Sequence, residues 1–306
     1  MSTHAPISCR SATGRLSLFN RLLEPSPVLP AQLTPAAFDR VDATARRRRG
    51  AMTLIEVVVV LAVVTVLIAL LLPAIARARA HARRAQCTSR LRQIGLALTQ
   101  YHDAHRYFPP GGIQWRPFRS QRGEKQIAWS AMLLSYVEEQ SLYNSVNFNL
   151  AFDSKGNSTA AAVVVDVFLC PSSRREGRTV DGRGACDYGG IFGERISSPN
   201  HPPKGTMIYD RPISIPMIRD GLSSTLIVSE DTHWGEGQWI NGRNLFDVAY
   251  PINTAPPFEN DIRSDHLRGA NALLADGAVR FLNEKLDLRI LAAISTRAGG
   301  EVAEGF

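Results

Sequence analysis

One long apolar run near the start of the chain dominates its hydrophobic pattern, and shorter periodicities follow it. Residues 57–76, between Glu56 and Arg77, carry no charge. As a helix rising about 1.5 Å per residue they reach roughly 30 Å, the thickness of a bilayer hydrocarbon core, which predicts a transmembrane helix over residues 52–76. Past Pro73, apolar positions recur at Ala80, Cys87, Leu91, Ile94, Leu98 and Tyr101, broken by one skipped place at Arg84. Such a stripe needs a surface to cover, so the helix is expected to continue over 77–108. Pro109-Pro110-Gly111-Gly112 ends it near Phe108.

Trp129, Met132, Leu133, Tyr136 and Val137 repeat the amphipathic spacing and predict a second, short helix over 128–143. Strands and turns follow within a globular region spanning 109–306. Residues 163–169 read as a buried strand or helix end leading into Cys170-Pro171, Asp187-Tyr188-Gly189-Gly190 as a tight turn, and 225–229 as a β-branched strand. Two apolar runs, 270–275 and 278–282, flank Asp276-Gly277. That predicts a hairpin closed by a type I′ turn, both of whose central residues take positive φ. The expected fold class is α+β: a long N-terminal helix continuing into a domain built on an antiparallel sheet.

The net charge of +7 suggests nucleic acid until it is mapped. Residues 1–50 hold eight Arg and three acidic residues, and six Arg with no acid lie between 77 and 92. From Gln93 onward 21 basic residues meet 24 acidic ones, a net of −3. The positive charge flanks the apolar run, which favours anionic lipid headgroups over a nucleic-acid groove as partner.

Glu56 is the anomaly of the apolar segment, since a carboxylate near a membrane-helix centre costs on the order of 2–3 kcal/mol. The stretch RRRRGAMTLIE at residues 46–56 resembles the N-terminal signal of type IV prepilins and type II secretion pseudopilins: a basic leader, a small-residue cleavage point, then a Thr-Leu-Ile-Glu run. The resemblance implies cleavage and N-methylation by a prepilin peptidase, and a glutamate that pairs with the new amine of a neighbouring subunit. Cleavage after Gly50 makes Glu56 the sixth mature residue. Cleavage between Ala51 and Met52 makes it the fifth and Pro73 the twenty-second, the place of a helix-bending proline in many pilins, and is preferred. Residues 1–51 are then a removed leader without signs of a fold. The same resemblance places the leader in the cytoplasm and the C-terminal domain outside, with the chain in the bacterial inner membrane.

In an exported domain, Cys170 and Cys186 enclose a polar, Gly- and Arg-rich loop whose bridging is worth about 3 kcal/mol, and they are the expected disulfide. Neither belongs to a CxxC pair or has a His at finger spacing, which argues against a metal there. Cys9 leaves with the leader, and Cys87 on the helix stripe reads as a buried small hydrophobe.

The resemblance extends beyond the leader. QCTSRLRQIGLALTQYHDAHRYFPPGG (86–112), FLCPSS (168–173), Asp187-Tyr188-Gly189, DGLSSTLIVSE (220–230), SDHLRGANALLADGAVRFL (264–282) and STRAGGE (295–301) are similar to a bacterial domain family of unknown function numbered 1559. Its members carry a prepilin-type methylation signal and a C-terminal H-x(9)-D-G signature, matched here by His266 and Asp276-Gly277. The family implies a pseudopilin-like exported protein and supplies no substrate.

His266 and Asp276 are expected to pair across the base of the last hairpin as a structural hydrogen bond; less favoured is a calcium or other hard-metal site using the carboxylates of Asp261, Asp265 and Asp276. His102, Asp103 and His105 lack a third ligand or a general base and read as the polar face of a helix end. His233 and Glu236 around Trp234 and Trp239 read as a packed loop with a polar rim, or as a recognition surface. Glu230 ends a strand and is placed to accept backbone hydrogen bonds. No nucleophile elbow, P-loop or dinucleotide fingerprint occurs. The expected protein is therefore no enzyme and needs no cofactor. It is a pseudopilin-like subunit of a type II secretion or type IV pilus-like assembly, with membrane lipid, prepilin peptidase and other pilin-like subunits as partners. The alternatives are a membrane-anchored, non-assembling protein that binds a glycan or protein, and a tethered hydrolase using His266 and an acidic residue.

Overall fold

Helix α1 runs from Leu54 to His105, 52 residues that continue through Pro73. The computed structural model describes residues 53–114 and 124–301, so the leader, the cleavage residues Gly50, Ala51 and Met52, and Cys9 lie outside the described residues. The chain divides into two compact units, Met1–Val58 and Val59–Phe306. In the first, the described residues are Thr53 and the opening turn of α1.

Every large aliphatic side chain from Leu54 to Ile75 is 40–85% exposed, and none of the described residues covers the most apolar 18-residue window of the helix. Burying one such side chain is worth about 1.5–3 kcal/mol, so the run is worth tens of kcal/mol to an apolar phase. Length and composition allow α1 to cross a bilayer once. Burial of the stripe begins later than its periodicity. Ala80 is exposed, whereas Cys87, Leu91, Ile94, Ala97, Leu98 and Tyr101 are buried. The skipped position, Arg84, lays its guanidinium 3.4 Å from the centroid of the Phe281 ring. The helix stops at His105 because Arg106 takes φ +68, and Phe108 then donates its N–H to Ile213 O.

Short elements follow: β1 (Gly112–Ile113), β2 (Ile127–Ala128), α2 (Trp129–Met132), α3 (Gln140–Ser145), α4 (Ser158–Ala161), β3 (Thr179–Val180) and β4 (Arg183–Gly184). The single helix expected over 128–143 is instead α2, a 3-10 turn at Leu134–Tyr136 and α3. Glu138 at φ +66 cannot continue a right-handed helix. Residues 163–169 likewise hold a 3-10 turn, Asp166–Phe168.

The main sheet comprises β5 (Tyr188–Glu194), β6 (Leu226–Glu230), β7 (Leu245–Val248), β8 (Gly269–Leu274) and β9 (Val279–Asn283), in the order β7-β5-β6-β8-β9. It is mixed, because β7 runs parallel to β5 while the other neighbours are antiparallel. The chain leaves β6, crosses back over β5 and pairs on its far edge, so the expectation of a wholly antiparallel sheet is corrected. The turn expected at Asp187–Gly190 is the entry to β5. Its glycines serve close packing: a Cβ on Gly189 would collide with the Phe246 ring, and one on Gly190 would lie 2.8 Å from Met207 Cγ.

Both faces of the sheet are covered. Leu273 of β8 joins Leu91, Ile94 and Leu98 of α1 in one core cluster, while Ala270, Ala272 and Leu274 join Leu291 and Ile294 of α5 (Leu288–Ile294) in another. This two-sided burial explains why every residue of β8 is buried and why all but Asn271 are apolar or glycine. The hairpin β8–β9 forms in the expected place with a different turn. Gly277 takes φ +86, Asp276 does not take a positive φ, and Gly277 N–H donates to Leu274 O. This is a type I turn with a glycine bulge, which needs one left-handed residue and not two.

Gly95 lets α1 pack closely on β8, since a Cβ there would sit 2.8 Å from Leu273 Cδ1. Leu273 is fully buried, so its side chain can shift only by repacking the core around it. Gly95→Ala should therefore lose about 1–3 kcal/mol through overpacking despite the better helix propensity of alanine. Denaturant titration of the extracted protein checks this, and a stabilised variant would mean the helix is free to shift.

Candidate functional site

Two places concentrate chemistry. The first is the start of α1, where Thr53 and Glu56 form a reciprocal cap. The Thr53 N–H and hydroxyl donate to Glu56 Oε2 at 2.8 and 3.0 Å, and the Glu56 N–H reaches Thr53 Oγ1 at 3.4 Å. A Thr-x-x-Glu sequence does this because the carboxylate three residues on folds back over the free N–H groups of the first turn. The carboxylate thus has a local role that the apolar pattern did not reveal. Its Oε1 accepts no hydrogen bond from the described residues.

The second is a buried cluster on the α1 side of the sheet. Cys87 enters from α1, Cys170 from the loop after the 3-10 turn Asp166–Phe168, Glu230 from the end of β6, and His266 from the segment before β8. All four are buried, and their ligand atoms lie within 4.8 Å of one another. Cys87 and Cys170 are bonded as a disulfide with Cα atoms 5.2 Å apart. Cys170 Sγ lies 3.6 Å from His266 Nε2 and 3.9 Å from Glu230 Oε1, and those two atoms are 3.3 Å apart. Asn271 orients the carboxylate, with its N–H donating to Oε2 and its Nδ2 to Oε1, each at 2.8 Å. The backbone acceptor role expected of Glu230 is therefore met by β8.

The expected Cys170–Cys186 disulfide is corrected. Cys186 is a free, buried thiol that donates to Tyr188 O at 3.1 Å, and burial pushes it up to about 12. Cys170 is turned the other way, with its N–H held by Asp187 Oδ2 at 2.8 Å, so its sulfur meets the helix stripe. Burial pushes the Asp187 carboxyl up, and the Arg175 guanidinium 2.9 Å away opposes this. A pocket of about 420 Å³ lined by Arg90, Arg175, Arg178 and Asp187 reaches one member of the cluster, Cys170.

The expected His266–Asp276 pair is also corrected. His266 precedes β8, whereas Asp276 sits in the turn after it and accepts from Ala278 N–H at 2.9 Å. The hairpin runs the full length of β8 between them. The calcium candidates are each engaged by partners of their own. Asp261 accepts from the N–H groups of Ala249, Tyr250 and Ile262 while burial pushes it up to about 6, and Asp265 binds Arg174 N–H and His233. His102 and His105 pack on aromatic rings, His102 with Phe108 and His105 with Tyr101. Trp239 is fully buried with Nε1 donating to Val163 O, and Glu236 pairs with Arg243, so that loop is packed with a polar rim.

Sequence reasoning missed the cluster because its members are far apart in the chain: 83 residues separate the two cysteines alone. A signal was present, since Cys87, Cys170, Glu230 and His266 each lie in a different one of the blocks singled out above.

An apolar helix able to span a bilayer once, opening on a capped Thr-Leu-Ile-Glu and carrying an α+β domain, defines a membrane-anchored protein. Residues 46–72 match the prokaryotic N-terminal methylation motif, a prepilin-type signal. Residues 76–249 match the family described as Protein of unknown function (DUF1559), and the chain belongs to that family. His266 and the last hairpin lie beyond the matched stretch. No curated protein and no solved structure matches the chain.

Proposed function

We propose that the protein is a pseudopilin-like subunit, cut before Met52 and N-methylated by a prepilin peptidase, then assembled with other pilin-like subunits in the bacterial inner membrane. The observation that carries this reading is Glu56. It lies in the opening turn of a helix whose apolar stretch from Leu54 to Ile75 is left uncovered by the described residues, with Oε1 left over from its own cap. In assembly that oxygen accepts from the amine at Met52 of a neighbour, and the two charges together enter an apolar environment that neither enters cheaply alone. The domain lies outside the cytoplasm, and the Cys87–Cys170 disulfide suits an oxidising compartment. The function is assembly, with no catalytic step and no nucleic-acid partner, and lipid contacts the arginines on both sides of the span.

Intact-mass analysis of the membrane-extracted protein tests the reading. The expected mature chain begins at N-methylated Met52. A chain beginning at Met1, or well after Ala76, overturns the proposal, and one beginning at Ala51 moves the cleavage point by one residue.

A further inference from the structure

The geometry points to a redox-gated metal site: with the Cys87–Cys170 bond reduced, Cys87, Cys170, Glu230 and His266 hold a borderline-soft divalent cation such as Zn2+. A structural disulfide needs no polar neighbours, yet this one has a fully buried carboxylate and a buried imidazole against it. Among the described residues the ion-pair partner of Glu230 is that same imidazole, and no Lys or Arg is paired with it. The donor set of two thiolates, one imidazole and one carboxylate is a zinc set.

The distances fit as well as the chemistry. Metal–ligand bonds of about 2.3 Å to sulfur and about 2.0–2.2 Å to nitrogen or oxygen set tetrahedral edges of about 3.6 Å from sulfur to nitrogen or oxygen, and of about 3.3 Å from nitrogen to oxygen. The observed separations are 3.6 Å for Cys170 Sγ to His266 Nε2, 3.9 Å for Cys170 Sγ to Glu230 Oε1 and 3.3 Å for Nε2 to Oε1. Opening the sulfur pair to about 3.8 Å supplies the remaining vertex. Asn271 acts as the positioning residue, because its two N–H donors fix the carboxylate that would face the ion. Arg90, which lines the adjoining pocket with Cys170 and donates to Leu169 O, offsets part of the net negative charge of a site with two thiolates and a carboxylate.

The chemistry balances with a dithiol as reductant. It gives two electrons and two protons to the Cys87–Cys170 bond, which breaks to two thiols while the dithiol closes to its own disulfide. Zn2+ then displaces both thiol protons to solvent. The disulfide form lacks two of the four ligands and does not retain the ion. The inference does not depend on whether the chain assembles.

The test uses full-length protein in detergent, either untreated or reduced anaerobically with dithiothreitol, loaded with Zn2+ or Co2+ and freed of excess metal. Reduced protein should retain one equivalent per chain, and its Co2+ form should show a thiolate charge-transfer band with the visible bands of tetrahedral cobalt. Untreated protein should retain none. His266→Gln should bind Zn2+ at least about 100-fold more weakly, and Asn271→Ala about 10–100-fold more weakly, while both still form the disulfide on air oxidation, which reports that the fold survives. Metal retained equally by the untreated protein, cobalt spectra without thiolate charge transfer, or unchanged affinity in His266→Gln would each overturn the site.

Discussion

Cys170→Ser should lower the thermal unfolding midpoint of the extracted, non-reduced protein by about 10–15 °C, whereas Cys186→Ser should leave it nearly unchanged. The Cys87–Cys170 bond closes a loop of 83 residues, and in the chain-entropy account a loop of that order is worth about 4–5 kcal/mol. For a domain of this size each kcal/mol moves the midpoint by about 2–4 °C. The bond ties α1 to the loop before β3, so its loss also frees the start of the helix stripe from the sheet. Cys186 makes no such tie, and a serine hydroxyl keeps its hydrogen bond to Tyr188 O. Alkylation gives an independent check. In the processed chain no cysteine should label before reduction, because Cys186 is buried and its thiol is held protonated. After reduction and unfolding, three should label. A large loss for Cys186→Ser with none for Cys170→Ser would reject the observed pairing.

Glu56→Ala should abolish recovery of the protein in sheared or crosslinked assemblies while leaving insertion and processing intact. Two roles of the carboxylate have to be separated, since the same side chain caps its own helix. Loss of the cap costs about 1 kcal/mol at an end that frays in any case. Loss of the partner for a neighbour's amine leaves a charge unpaired in an apolar environment, at several kcal/mol. Thr53→Val separates them: it removes the capping hydroxyl and keeps the carboxylate, so assembly should persist. Were Thr53→Val to fail as completely as Glu56→Ala, the carboxylate would matter for the cap alone. Wild-type assembly by Glu56→Ala would favour a membrane-anchored binding protein in place of the assembling subunit.

The membrane span, the helix stripe, the stop before Pro109 and the last hairpin were legible in the sequence because each rests on local physics. A run of twenty uncharged residues, a periodicity of three and four, a proline pair that sets an outer limit to the helix and a glycine that accepts positive φ act within a few residues, although Arg106 at φ +68 ends the helix before the prolines are reached. The same locality misled at 128–143, where periodicity outran the backbone: Glu138 takes φ +66 and breaks the helix. It misled again at Gly189 and Gly190, read as turn residues although their lack of a side chain lets Met207 and Phe246 press on a strand.

What tertiary structure alone decided is which distant residues meet. Cys170 had a near candidate in Cys186 and a far one in Cys87, and loop length favours the near one only when nothing else orients the sulfurs. Here Asp187 fixes the backbone of Cys170 and α1 lies across the sheet at the closeness Gly95 allows, so the far partner is the one in reach. His266 and Glu230 join them because β6 and β8 are neighbours, a pairing set by the strand order and not by any spacing in the chain. Local sequence determines the elements and the membrane anchor, while the chemistry of the interior depends on contacts made only when helix, loop and two strands close on one another.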